Sequence, residues 1–180
     1  MSQRITQFPL TRTLASDGSD TLTLAWAISE RYGRKVVTPE DVLLAIATSK
    51  TSNAFLTLSS IGVDLPALMM ATLEKSKSKA VRKSGFDLDV SAKFNFDVMP
   101  ESTRLALVRN FASREAVELG SDHVDSLHLL LGILCLQDEN PPSDGFIGHE
   151  QCPAKAALIE HGINVRAILD FIPVRRSVAA

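Results

Sequence analysis

Six side chains of the kinds that ligate transition metals lie in the second half of the chain: His123, His128, His149, His161, Cys135 and Cys152. Among them only His149-x2-Cys152 has a short ligand-like spacing. Structural zinc sites draw paired short spacings from two sides of the metal, so no metal centre is expected, and Cys135 reads as a core residue. No G-x-S-x-G, no H-E-x-x-H and no cysteine in a recognisable catalytic setting occurs. The expectation is a non-enzyme with no catalytic residue, cofactor or metal.

The polar groups with informative spacing are Thr38, Pro39, Glu40 and Asp41, and again Asp125, Ser126, Leu127 and His128. Each set stands directly before an apolar run. Thr38 can accept a hydrogen bond from an orphan amide near Asp41, and Pro39 suits the first helical position because its missing N–H costs nothing there. Glu40 and Asp41 then oppose the positive end of the helix dipole. Asp125 takes the capping part of Thr38 in the second set. Both helices are apolar nearly all round, which predicts burial between neighbours.

The two sets are copies. Asp41 and His128 are 87 residues apart, and so are Gly33 and Gly120, each closing the preceding helix. Further on, Ala54-x3-Leu58-x3-Gly62-Val63-Asp64-Leu65-x-Ala67-Leu68 returns as Ala154-x3-Leu158-x3-Gly162-Ile163-Asn164-Val165-x-Ala167-Ile168, now 100 residues apart. The second unit therefore holds 13 extra residues between Ile133 and Ala154. A supersecondary unit present twice is expected to pack on itself.

The elements that position these groups follow from apolar periodicity and its stops. Residues 5–14 read as an extended arm laid on the first unit. A helix over 17–32, offered an N-cap by Ser16, buries Leu22, Ala25, Ile28 and Tyr32 on one face and stops at Gly33. After the capped helix at 39–48 come short helices at 53–60 and 65–75, the latter capped by Asp64. Pro100 opens the counterpart of the first helix, with Leu105, Val108, Ala112, Ala116 and Leu119 along one face. The buried run continues to Leu136, and helices at 154–161 and 165–172 complete the second unit. Trp26 and Tyr32 read as packing residues. The alternating Phe86, Leu88 and Val90 read as an ordered loop without a partner strand.

The fold class expected is all-α, with two pseudo-twofold-related four-helix repeats packed into one compact bundle of about eight helices. Repeat one spans 14–75, a linker 76–98, repeat two 99–172 with an inserted loop at 137–153, and a tail 173–180. With 180 residues, 45% hydrophobic and 22% charged, the composition is that of a globular domain able to bury a core. A net charge of −2 gives no footprint for nucleic acid. The basic cluster from Lys75 to Lys83 reads as a solvated linker. No signal-peptide h-region stands at the start and no apolar run is long enough for a bilayer, so the expected location is cytoplasmic, without membrane partners. Two cysteines are too few for a disulfide framework.

Taken together, these landmarks resemble the Clp N-terminal domain, the duplicated helical module at the front of Clp-type AAA+ unfoldases. Each repeat of that family carries a segment like (G/T)-(T/P)-E-H-(L/I)-L-L-(G/A)-L before a later G-(V/I)-(D/N). Thr38-Pro39-Glu40-Asp41-Val42-Leu43-Leu44-Ala45-Ile46 matches it with Asp41 where His is usual, and Asp125-Ser126-Leu127-His128-Leu129-Leu130-Leu131-Gly132-Ile133 keeps the His but has Leu127 where Glu is usual. The resemblance spans about residues 14–172. It implies a non-enzymatic protein-binding module, an accessory or adaptor in Clp-type ATP-dependent proteolysis. Its partners would be Clp-type AAA+ unfoldase or protease components, or their client proteins. No phosphate loop for ATP occurs in the 180 residues.

In some members the Glu of the motif and the adjoining helix start receive a phosphorylated arginine. The resemblance extends this role to Thr38, Pro39 and Glu40, beside the reading that they merely begin a helix. Leu127 removes the carboxylate from the second copy. The start of each buried helix, Thr38 to Asp41 and Asp125 to His128, is the surface expected to dock a protein. The alternatives are a recognition domain detached from a full Clp ATPase, and a small enzyme or metal-binding protein using the 137–153 loop.

Overall fold

The computed structural model describes residues 12–76, 100–136 and 152–172. Its helices are α1 (Ser16–Arg31), α2 (Pro39–Thr48), α3 (Asn53–Ser60), α4 (Leu65–Lys75), α5 (Thr103–Glu118), α6 (Ser126–Leu134), α7 (Pro153–Glu160) and α8 (Val165–Leu169). Two short parallel strands join them, β1 (Thr13–Leu14) and β2 (His123–Val124). The described residues are thus mostly helical, with eight helices, as the duplication predicts. The loop with Phe86, Leu88 and Val90, nearly all of the 137–153 insertion and the 173–180 tail lie outside the described residues.

The two helices that the sequence marks as apolar all round occupy the centre. In α2 the side chains from Val42 to Ile46 are almost completely buried, and in α6 Leu129, Leu130, Leu131 and Ile133 are inaccessible to solvent. Around them, α1 lies on α2, and α5 on α6. The halves interleave, because α3 packs against α6, and α4 against α7.

The repeat symmetry appears in backbone pairing as well as in helices. Leu14 pairs with Val124, and Glu101 pairs with Val37. Leu14 and Glu101 are repeat equivalents 87 residues apart, as are Val37 and Val124. The next hydrogen bonds repeat the exchange: Ala15 N–H to the Val124 carbonyl at 2.9 Å, and Ser102 N–H to the Val37 carbonyl at 2.9 Å. The lead-in to each outer helix is therefore bound by the lead-in to the other half's central helix.

This exchange corrects three expectations. The described end of the arm, Thr13 and Leu14, does not pair with the first unit, because the edge it would need there, at Val37, is already taken by Pro100 and Ser102, so it pairs with His123 and Val124 instead; the rest of the arm lies outside the described residues. Pro100 does not open α5. Its carbonyl accepts the Val37 N–H at 2.9 Å, and the Ser102 hydroxyl caps the helix by accepting the Leu105 N–H at 3.2 Å. At α1 the N-cap position is Ala15, not Ser16, since the Ala15 amide belongs to the arm. Two helices end earlier than the apolar spacing predicts, α6 at Leu134 and α8 at Leu169.

Both helix stops read from glycine have the required conformation. Gly33 and Gly120 have φ of 66° and 68°, and the bonds Arg34 N–H to Ser29 and Ser121 N–H to Ala116 close the two helices alike. Gly132 is different in kind. A Cβ there would lie 2.4 Å from the Val108 carbonyl oxygen and 3.1 Å from the Ala112 amide nitrogen, so α5 and α6 touch backbone to backbone. The equivalent residue in α2 is Ala45.

Gly132→Ala is expected to force the α5–α6 crossing apart at a cost of about 1–3 kcal/mol. Gly120→Ala, where nothing lies within 4 Å of the added Cβ, should cost only the strain of a left-handed residue, about 1 kcal/mol. Urea denaturation of the two variants checks the order; a larger loss at Gly120 would contradict the close crossing.

Candidate functional site

At the start of α2, Thr38 is extended and Asp41 is completely buried. The Asp41 carboxylate accepts the Thr38 N–H and the Thr38 hydroxyl, each at 2.9 Å, through Oδ2. The Thr38 hydroxyl donates to Asp41 and, in a capping box, also faces the Asp41 N–H, the acceptor part that its position before the helix predicts. Arg34 pairs with Asp41 Oδ1, and its guanidinium lies over the Tyr32 ring, 4.8 Å from the centroid. Burial raises the Asp41 pKa above the ordinary aspartate value, and Arg34 and the Thr38 bonds only partly offset it.

Glu40 points inward and is 7% exposed. Its Oε1 is 3.4 Å from the Ala154 amide nitrogen and 3.5 Å from Cys152 Sγ, both of which donate to it. Cys152 at the N-cap of α7 makes no side-chain cap of its own, so the first repeat supplies one to the second. The thiol of Cys152 is pushed up to about 12 by burial and by the adjacent Glu40 charge.

At the start of α6 the partners differ while the plan is the same. Asp125 Oδ1 accepts the Leu127 and His128 N–H groups at 3.0 and 3.1 Å, and Oδ2 accepts from Asn53 Nδ2 at 2.8 Å. The buried Ser126 hydroxyl accepts the Ala54 N–H at 3.0 Å and donates to Asp17, whose Oδ2 also accepts the Ser126 N–H at 3.1 Å. His128 is 4% exposed, with Nδ1 2.7 Å from Asp125 Oδ1 and 3.2 Å from the Asp125 amide nitrogen. Burial raises the Asp125 pKa, but His128 and Asn53 outweigh it and hold the carboxyl below the usual range.

Ala54 and Ala154 are repeat equivalents, so each central helix start reaches across to the amide at the same place in the other half. Glu40 does this from α2. In α6 its equivalent is Leu127, half-buried against the core, and Ser126 with Asp17 takes over. Of the eight residues singled out by sequence, Pro39, Glu40, Asp41, Ser126 and His128 are buried, while Thr38, Asp125 and Leu127 are half-buried. The structure ties Glu40 to Cys152 and Ala154, and Asp125 to Asn53, rather than gathering the eight on an open face. The roles of Asp17, Arg34, Asn53 and Cys152 were not visible in sequence, because their partners are distant; only the unused acidic residue in the first turn of α1 gave a sign.

Cys135 is half-buried and Cys152 buried, and both are free thiols. Among the described residues no three His, Cys, Asp or Glu side chains group as metal ligands; His149 lies outside them. No single described helix is long and apolar enough to cross a membrane. Large apolar side chains exposed at the surface include Val36, just before Thr38, with Leu56, Met70, Val117, Ile159 and Phe171.

Residues 13–140 match the family model described as the Clp repeat (R) N-terminal domain. Curated protein sequences give no match. Among solved structures, the chain resembles the Hsp104 N-terminal domain from Candida albicans, with a TM-score of 0.60 at 14% identity over 92% of this chain and 93% of that one. It also resembles the N-terminal domain of the caseinolytic protease associated chaperone ClpD from Arabidopsis thaliana (TM-score 0.55, 14% identity, 93% and 96% covered). A chain from structural work on a malarial protein secretion system aligns with a TM-score of 0.62 at 16% identity, over 88% and 90%. At these identities the likeness is one of fold.

Two outcomes follow from the site's geometry. Glu40→Ala leaves the Ala154 amide without its acceptor and should cost about 1–3 kcal/mol in urea unfolding, with Glu40→Gln costing less because it keeps an oxygen there. Asp125 has the opposite pH dependence to Asp41. Its lowered folded pKa gives stability that is present above the unfolded value and is lost as pH falls through the folded one, in the range below about pH 4. Asp41, raised, contributes stability below its unfolded value that is lost as pH rises. Asp125→Asn should therefore flatten the acid limb of the stability profile, and an unchanged limb would contradict the assignment.

Proposed function

Since the chain belongs to the Clp repeat N-terminal domain family, we propose that it is a non-enzymatic protein-binding module that serves as an accessory or adaptor in Clp-type ATP-dependent proteolysis. Its partners are Clp-type AAA+ unfoldase or protease components, or their client proteins. The observation that supports this reading most is the family match over residues 13–140, joined to an eight-helix fold shared with chaperone N-terminal domains.

In this proposal docking is carried by the accessible rim of the central helix starts, Val36, Thr38, Asp125 and Leu127. Pro39, Glu40, Asp41, Ser126 and His128 support that rim from beneath. The reading that Glu40 receives a phosphorylated arginine is disfavoured by its position: the guanidinium would have to draw the carboxylate away from the α7 start. A binding site of this kind works by displaced water and apolar contact, with half-exposed side chains as its anchors.

Affinity capture from a lysate of the protein's own cells tests the role. Wild type should enrich a Clp-type unfoldase, a protease component or a client, and Val36→Asp should recover less of it. Absence of any such protein with the wild type would sink the adaptor reading. Free phosphoarginine is expected to leave the amide resonances of Thr38, Glu40 and Asp41 unmoved; saturable shifts there would restore Glu40 as a ligand.

A further inference from the structure

The repeat copies backbone but not charge. The turns that follow α1 and α5 are closed by equivalent backbone bonds, each at a left-handed glycine. In the first turn Arg31, Arg34 and Lys35 stand against Glu30; in the second, Glu118 and Asp122 have no lysine or arginine beside them between residues 117 and 123. Arg31 and Glu118 are repeat equivalents 87 residues apart, and so are Lys35 and Asp122. The inversion extends to the first turns of the outer helices: Asp17, which lies against the α6 start through Ser126, has Arg104 as its counterpart on α5.

Folding accounts for one sign only. Arg31, the last residue of α1, stands at the negative end of that helix's dipole, where a cation is favoured. Glu118, the last residue of α5, holds the same place with the opposite charge. Its partner Arg114, 3.7 Å away, precedes it by four residues, the weaker order for such a pair. Asp122 pairs with Arg12 at 3.0 Å yet remains 85% exposed, and exposed pairs of this kind contribute little. Arg34 turns inward to Asp41, so the outward cations of the first turn are Arg31 and Lys35, both exposed. Each turn also carries an exposed valine, Val36 in the first and Val117 in the second.

We infer that the two turns are the two sides of one contact between copies of this chain. The turn at 31–36 of one molecule receives the turn at 117–122 of another, with Arg31 and Lys35 against Glu118 and Asp122, and Val36 against Val117. The occupant is a second copy because each turn finds both its opposite charge and an apolar side chain to cover on the same chain. Two unlike patches make a heterologous contact, so each copy keeps one unused patch and association continues unless it closes into a ring. A contact this small and this charged is weak and falls with salt. It covers Val36, part of the rim assigned to docking, but it stands without that reading.

Sedimentation equilibrium of the whole chain, carried up to about 1 mM, tests the contact. The apparent mass should rise with concentration and fall back as salt goes from about 0.05 to about 0.5 M. Lys35→Glu and Asp122→Lys should each weaken association by about fivefold or more. An equimolar mixture of the two variants should associate again, because each supplies the intact patch that the other lacks. Both positions are exposed, so the variants should unfold in urea with the wild type. If either fails to fold, Arg31→Glu and Glu118→Lys serve as the second pair in the same mixture. A wild type that stays monomeric at the highest concentration, association indifferent to salt, variants that associate as the wild type does, or a mixture no better than its components would each overturn the contact.

Discussion

Short helices carry a heavy load of unpaired backbone groups, and this constraint governs the molecule. A helix leaves its first N–H groups without internal partners, and α3 and α7, with eight residues each, have few others. Buried in a bundle, those amides must find acceptors or cost stability. Here the acceptor comes from the opposite repeat: Ser126 for Ala54, and Glu40 for Ala154. The lead-in strands obey the same rule, with Leu14 on Val124 and Glu101 on Val37. Each half completes the hydrogen bonding of the other, and the apolar faces of α2 and α6 are brought together by that exchange as well as by burial.

The duplication therefore does more than double a surface. After the two copies diverged in sequence, the cross-half acceptor survived by different means. Where α2 has Glu40, α6 has Leu127, and the lost carboxylate is replaced by Ser126 held by Asp17 from α1. Asp41 and His128 likewise fill one structural position with two chemistries. What is retained is the location of an acceptor, not its residue type. The polar groups at the helix starts are consequently engaged inside the body, and a partner meets mainly the rim and the exposed apolar side chains.

Much of this was legible in the sequence because it rests on local rules. The helix spans, the glycine stops and the complete burial of Val42 to Ile46 follow from periodicity and from residues needed at helix ends. The Asp64 and Asp125 caps are likewise local, each accepting from an amide two or three residues on, whereas the Asn164 cap went unread although it is equally local. What sequence could not supply was the partner of a polar group more than a few residues away. Thr38-Pro39-Glu40 has the pattern of a helix start open to an anion, and nothing in the pattern says that Glu40 reaches 114 residues along the chain to Ala154. The described end of the arm, Thr13 and Leu14, pairs with the other half than expected for the same reason, since two residues of strand do not announce their partner.

The central claim is that the two repeats form one interdependent body. Native-state hydrogen exchange tests it most directly, because the amides of Ala15, Ser102, Ala54 and Ala154 report the contacts between halves, and that of Leu130 reports the core. If each half depends on the other, the first four should exchange only through openings about as costly as the one that exposes Leu130. If they exchange freely while Leu130 remains protected, the halves part without unfolding, and the reciprocal account fails.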